Sequence, residues 1–335
     1  MKRGFNILVL GNGRIARAVS FYLGRSRLVK SVSLALTGKN VAKYDLLVGA
    51  FPGDLGTIPL KLALKHRVDL IDISDVEPQV YLRSKRLIES RGITVIPCCG
   101  FGPGLINFIL GRELAGKMNI DTVQIKAGSL SPKPNYFPFL WCFEDLVLEH
   151  RIPSWQVVNG KTYKFGPFAR CQNERFFGIE SESYFAQSGF ENMMKGIRVK
   201  NFSFRVLRPR GFKEFFYYLE SEGLLTKANM LTTKNIVEKN VRENITLATI
   251  SLREKRKVIT WLMKSQSKQG ERLNSMQKIT AVTPAAMALA LLRREIGQRG
   301  LLFMESLGQD RFIFDYLLGE NRKAGISLVR KEIKI

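Results

Sequence analysis

At 335 residues and 45% apolar composition the chain has the length for two globular domains, and no uninterrupted apolar stretch in it is long enough to cross a bilayer. Its 53 basic against 29 acidic residues give a formal charge of +24, a field that draws in anions of every kind. The cations are nevertheless scattered, and the densest cluster, Arg253-Glu254-Lys255-Arg256-Lys257, encloses an acid, so a solvated basic surface is the plainer reading and nucleic acid is not expected as a partner.

The chain opens with Met1-Lys2-Arg3 and a short apolar run. That run ends in Gly11-Asn12-Gly13-Arg14, too soon for an export signal, and a cytoplasmic protein without membrane attachment is expected. Phe5 to Leu10 reads instead as a buried strand that breaks into a glycine turn and then a helix carrying Ile15, Val19 and Leu23 on one face. A strand, a Gly-x-Gly-x-x-Ala turn and a helix read as the first unit of a dinucleotide-binding fold, the other reading being a plain structural turn, since strand-turn-helix junctions need glycine for purely structural reasons. Gly11 permits the tight turn, Gly13 lets the backbone approach a pyrophosphate, and Ala16 lets helix and strand pack closely. Asn12, Arg14 and Ile15 complete the turn, whose helix N-terminus offers free N–H groups to phosphate.

Ser31 to Leu36 alternates as a second strand. At its end, where a ribose-binding carboxylate is usual, the chain has Thr37-Gly38-Lys39-Asn40. Lys39 either suits a 2′-phosphate, which tilts the cofactor toward NADP over NAD, or is a solvated turn lysine. Asp45 to Ala50 is a continuous apolar strand ending in Phe51-Pro52-Gly53, and the short link before it leaves no room for one βα unit. A helix over Leu60–Lys65, a strand over Val68–Asp75, a helix over Val80–Ser90 and a strand over Gly92–Pro97 follow. Asp72, Ser74 and Asp75 stand at a carboxyl strand end, where they either serve catalysis or cap the next helix.

Cys98, Cys99, Cys142 and Cys171 form no regular framework and are read as reduced thiols. With only His66 and His150 and no Cys-x-x-Cys pair, no metal is expected.

In the second half, Val123, Ile125 and Ala127 alternate with polar neighbours, as do Phe202, Phe204 and Val206. Ile245–Leu252 and Val258–Met263 read as a hairpin tipped by the basic cluster, and Phe212–Ser221 as a helix over the sheet. Thr283-Pro284 reads as N-cap and first residue of a buried helix reaching Ile296. The fold class expected is α/β: an abbreviated Rossmann-type parallel sheet domain plus a second α+β domain with a mostly antiparallel sheet. The boundaries expected are 1–120 for the first domain, with 283–335 returning to it, and 121–282 for the second.

The order of motifs resembles the saccharopine dehydrogenase family, most closely its lysine 6-dehydrogenase branch. Gly11-x-Gly-x-x-Ala16, Asp45 to Gly53, Val68 to Asp75 and Gly100-Phe-Gly-Pro-Gly-Leu-Ile-Asn107 carry the resemblance. It implies a homodimeric NAD(P)-dependent oxidoreductase moving hydride at a C–N bond of an amino acid or its secondary-amine conjugate. Thr37, Lys39, Ala50, Phe51, Pro52 and Gly53 would then join the glycine turn around the cofactor, and Asp72, Ser74 and Asp75 would carry the chemistry. Tyr136, Glu144, Arg151 and Arg208 would lie around the substrate, with the sheet of the second domain bearing the dimer contact. Two departures bear on the substrate: Tyr136-Phe137 is followed by Pro138 rather than lysine, and Arg208-Pro209-Arg210-Gly211-Phe212 lacks the family's histidine. A relative that binds a metabolite without catalysis is the first alternative, and a nucleic-acid or acidic-partner binding protein, motivated by charge alone, is the more distant one.

Overall fold

The computed structural model describes residues 4–38, 40–74, 76–117, 119–133, 136–187, 189, 198–238 and 242–335. Contacts divide the chain into two units, Met1–Gly116 with Gln277–Ala324, and Lys117–Met276 with Gly325–Ile335.

The first unit runs β1 (Phe5–Leu10), α1 (Arg14–Leu23), β2 (Val29–Ala35), β3 (Leu46–Gly49), α2 (Ile58–His66), β4 (Leu70–Asp72), α3 (Pro78–Arg83), α4 (Lys85–Arg91), β5 (Thr94–Ile96) and α5 (Leu105–Leu114). Ile7, Leu8, Val9 and Leu10 are all but fully buried, as Leu46, Leu47 and Val48 are, because this sheet is covered on both faces. Each such side chain stabilises the fold by about 2 kcal/mol relative to an exposed position. The link from β2 to β3 is a single 3-10 turn, Val41–Lys43, so the chain passes from the edge strand directly to the far side of β1. Among the described residues no helix and strand intervene there, as the short link led one to expect.

The expected helix over 80–90 is two helices. They meet at Ser84, whose hydroxyl donates to Val80 O at 3.0 Å alongside its own N–H at 3.3 Å.

The second unit contains β6 (Asn119–Leu130), α6 (Phe143–Glu149), β7 (Ser154–Val158), β8 (Lys161–Phe165), β9 (Gln172–Phe176), β10 (Ile179–Phe185), β11 (Arg198–Pro209), α7 (Phe212–Ser221), α8 (Met230–Val237), β12 (Asn244–Glu254) and β13 (Lys257–Ser267). The chain then continues through α9 (Ser275–Leu292), β14 (Gly300–Leu301), α10 (Met304–Leu307), α11 (Arg311–Lys323) and β15 (Ser327–Lys334).

Among the described residues the first sheet has the order β14-β5-β4-β3-β1-β2, with every pair parallel. The second has the order β15-β13-β12-β6-β11-β10-β9, with β7 beside β11 and β8 beside β7. It is mixed: β6 and β11 run parallel, and the other pairs are antiparallel. The fold is therefore α/β, a Rossmann-type sheet joined to a second unit built on a mixed sheet.

Two expectations need correction. The helix read from Pro284 begins at Ser275 and carries Pro284 in its interior. Proline deletes one backbone bond there, but Ala281, Val282, Ala285, Ala286, Met287 and Ala288 are all buried, and that packing outweighs the local signal. By length and composition α9 could cross a membrane, yet 67% of it is buried within the protein. The last strand does not return to the first unit either. β15 pairs with β13 over Lys257↔Lys334 to Lys264↔Ser327 and becomes the edge of the second sheet.

Candidate functional site

The carboxyl ends of the parallel strands converge around Gly11. Its N–H donates to Ala35 O at 2.8 Å, and Ala50 N–H donates to Leu10 O at 2.8 Å, which ties the ends of β2, β1 and β3 together. This is where the strand order reverses, and in open parallel sheets the ligand crevice lies at that point.

Gly11 has φ +136°, and a Cβ built on it would lie 2.5 Å from Ala50 O. Its glycine is demanded by the protein itself. Gly13 differs: φ is −74°, and a Cβ there would meet nothing within 4 Å. No internal contact requires Gly13 to lack a side chain, and the open space it faces is what a close-approaching pyrophosphate needs. We expect Gly11→Ala to destabilise the protein by about 3 kcal/mol through backbone strain and overlap, and Gly13→Ala to stay within about 0.5 kcal/mol of wild type. Denaturant unfolding of the two variants measures the contrast.

Gly13 caps α1 without any side-chain hydrogen bond, and no acid lies in the first turn, so no side chain there offsets the positive end of the helix. Asn12 and Gly13 are exposed, Arg14 and Ile15 half-buried, and Ala16 buried against the strand. The Asn12 side chain does not cap the helix. Its Oδ1 and its backbone O both accept from Arg17 Nε at 3.1 Å. From α9, Gln277 Nε2 donates to Arg14 O at 3.1 Å.

Across the turn, Ala50, Pro52 and Gly53 are half-buried. The Phe51 ring, by contrast, belongs to the core cluster around Leu47, Leu60 and Tyr81, so Phe51 offers the crevice only backbone. Thr37 is exposed at the end of β2 beside an exposed Leu36. Lys39 and Asp75 lie outside the described residues.

Asp72 is fully buried. Its Oδ1 accepts from Ser74 N–H and its Oδ2 from Tyr81 OH, both at 2.9 Å, and a Cβ on the paired residue Gly49 would overlap Oδ1. Burial pushes its carboxyl up to about 6, against the hydrogen bonds from Ser74 and Tyr81. Both oxygens are engaged away from solvent, so Asp72 is not placed to touch a substrate. Ser74 is buried too, its Oγ accepting from Phe51 N–H at 3.1 Å.

The four residues expected around a substrate are each engaged within the second unit. Tyr136 OH accepts from Arg242 N–H at 3.1 Å, beneath the Arg242 guanidinium. Glu144 pairs with Lys234 at 2.9 Å and is held below its ordinary value by that pair, although desolvation, the largest single influence, opposes it. Arg151 pairs with Glu220 at 2.5 Å and also donates to Leu225 O at 2.8 Å, joining α6 to the end of α7. Arg208 is buried against the Phe212 ring and pairs with Glu149 at 2.9 Å. The ion pairs of Glu144, Arg151 and Arg208 tie the α6 region to α8, α7 and β11, so each of the four side chains has a partner within its own unit.

Sequence reasoning missed His150, which sits at the centre of an aromatic cluster with Phe168, Tyr184, Phe212 and Phe216. A carbonyl can only accept, so Nδ1 carries the proton to Leu146 O at 2.7 Å, and Nε2 accepts from Tyr184 OH at 2.7 Å. Tyr81 and Glu149, the partners of Asp72 and Arg208, were missed as well. Among the described residues no three His, Cys, Asp or Glu side chains gather as metal ligands.

No protein-family model matches the chain. Among solved structures it is similar to the apo, histidine-tagged saccharopine dehydrogenase (L-Glu forming) from Saccharomyces cerevisiae, with a TM-score of 0.77 and 16% identity over 98% of this chain and 100% of that one. This chain has the saccharopine dehydrogenase fold. Weaker likenesses are to C. glutamicum DAP dehydrogenase in complex with DAP, with a TM-score of 0.48 and 11% identity over 94% of this chain and 98% of that one. An engineered D-amino acid dehydrogenase bound to NADP+ gives 0.46 and 12% over 95% and 99%. At 16% identity the likeness to the saccharopine dehydrogenase is one of fold.

Proposed function

We propose that this protein is an NAD(P)-dependent oxidoreductase whose first unit binds the dinucleotide pyrophosphate at the Gly11–Ala16 turn, and that it acts at a C–N bond of an amino acid or its secondary-amine conjugate. The observation that carries the reading is Gly13, a helix-capping glycine with no internal reason to be glycine, facing open space at the point where the strand order reverses. The likeness in fold to a saccharopine dehydrogenase supports the reaction class. NADP is favoured over NAD because Thr37-Gly38-Lys39-Asn40, at the end of β2, has no carboxylate to take a ribose 2′-hydroxyl.

A bound nicotinamide would supply the hydride acceptor. The chain's own part is to hold the phosphates on the uncapped end of α1 and to set the spacing between the Gly11 turn and the Ala50–Gly53 loop. A calorimetric titration with NADPH and with NADH at physiological salt tests the reading. Micromolar binding of at least one, abolished by Gly13→Asp in a protein of unchanged thermal stability, is the expected result. No binding of either overturns it.

A second reading, a relative that binds a dinucleotide or metabolite without oxidising an amine, is favoured by one observation: Tyr136, Glu144, Arg151 and Arg208 each have a partner inside their own unit. Amino-acid-dependent reduction of bound cofactor, followed at the nicotinamide absorbance, decides between the two.

A further inference from the structure

We infer that Asp72 and Ser74 are positioning residues, which fix the Ala50–Gly53 loop by holding the Phe51 amide through a one-way relay of hydrogen bonds. The inference rests on the proposed dinucleotide site, because this loop faces the glycine turn.

The relay runs from the Phe51 N–H to Ser74 Oγ at 3.1 Å, and from the Ser74 hydroxyl to the Asp72 carboxylate, which also accepts the Ser74 N–H. An ionised carboxylate can only accept. It therefore turns the Ser74 hydroxyl hydrogen toward itself and leaves the Ser74 lone pair for Phe51. Ala50, one residue earlier, is held by Leu10 O, and its own carbonyl fills the space that a side chain on Gly11 would need. The loop is thus fixed at two consecutive amides, one by β1 and one by the relay, and the first of these sets its distance from the glycine turn.

The surroundings leave Asp72 little else to do. It lies in register with Gly49, where any side chain would displace it. From α3, Tyr81 OH holds its second oxygen. After β5, Cys99 N–H donates to its backbone O at 3.0 Å, and burial, helped by the nearby Cys98 and Asp72, raises the Cys99 thiol, so that neighbour stays neutral. Among the described residues none of the groups that set its ionisation is a cation. Asp72 is consequently protonated in mild acid, where it no longer dictates which way the Ser74 hydroxyl points, and the grip on Phe51 weakens.

The test uses the full chain and two readouts. Hydrogen–deuterium exchange of the peptide spanning Phe51 reads the relay directly, and calorimetry with NADPH reads its effect on the cofactor. Ser74→Ala leaves a buried amide without an acceptor, so Phe51 exchange should rise about tenfold or more and the NADPH Kd should rise about fivefold to tenfold. Ser74→Thr, which keeps the hydroxyl, should restore both. In the unaltered protein Phe51 exchange, corrected for its intrinsic pH dependence, should quicken as pH falls through 6, and Asp72→Asn should remove that dependence. Unchanged Phe51 exchange in Ser74→Ala overturns the relay. Faster exchange with an unchanged Kd overturns its link to the cofactor. If the wild type binds no dinucleotide at all, the proposed function fails, while the exchange arm still reads the relay.

Discussion

Lowering the pH from 7 to 4 is expected to destabilise the protein by about 3 kcal/mol through His150 alone. The side chain is almost fully buried, and burial first, then the positive charge of Arg208, pulls its value from 6.5 down to about 3, against the hydrogen bond to Leu146 O. In the unfolded chain the imidazole takes up a proton near pH 6.5, whereas in the native cluster it stays neutral down to about 3. The unfolded state therefore binds more protons throughout that window. Stability contributed by the neutral ring is complete above pH 6.5 and drains away as the pH falls toward 3. His150→Gln keeps a donor and an acceptor but does not titrate, so it should flatten this part of the curve. Urea unfolding at several pH values measures it, and parallel curves for variant and wild type would refute it.

Replacing Arg208 with methionine is expected to cost about 3–5 kcal/mol, because it strands the largely buried Glu149 carboxylate without its partner. Desolvation already raises Glu149 despite the attraction of Arg208, which shows how little solvent is left to take over that role. The pair itself need not stabilise the fold. Among the described residues Arg208 Nε has no hydrogen-bond partner, and a matched neutral pair would avoid the desolvation of two charges. The double variant Glu149→Gln/Arg208→Met should accordingly recover most of the loss, to within about 2 kcal/mol of wild type. Removing Arg208 should also shrink the acid sensitivity of His150, since its charge is one of the two influences that depress that ring. Equal losses in the single and double variants would show that Arg208 matters through packing on Phe212 instead.

The glycine turn was legible because its demands are local: a strand, a turn with φ +136° and a helix lie within two dozen residues, and each announces itself in the residue types. The abbreviated link after β2 could be read for the same reason, since too few residues separate the two strands to hold another unit. Contacts between distant residues could not be read this way. Ser74 serves Phe51 from 23 positions away, His150 meets Tyr184 across 34, and Arg208 meets Glu149 across 59. A carboxylate at a strand end looks the same in sequence whether it faces a substrate or a tyrosine. Pro284 misled for the opposite reason: its local message, to begin a helix, was overridden by burial along α9 that no short window contains.

The late arrival of β14 sets a constraint on how the chain is made. The first sheet gains its outer strand, Gly300–Leu301 beside Thr94–Val95, only after the main segment of the second unit has been synthesised. At roughly 5–20 residues per second a ribosome takes on the order of ten seconds or more to cover that interval. Through that time β5, whose residues are all buried in the finished molecule, presents an unpaired backbone edge to whatever extended strand is near. A nascent chain of this topology is most open to mispairing at Thr94–Ile96, and β14 acts as the clasp that ends its exposure.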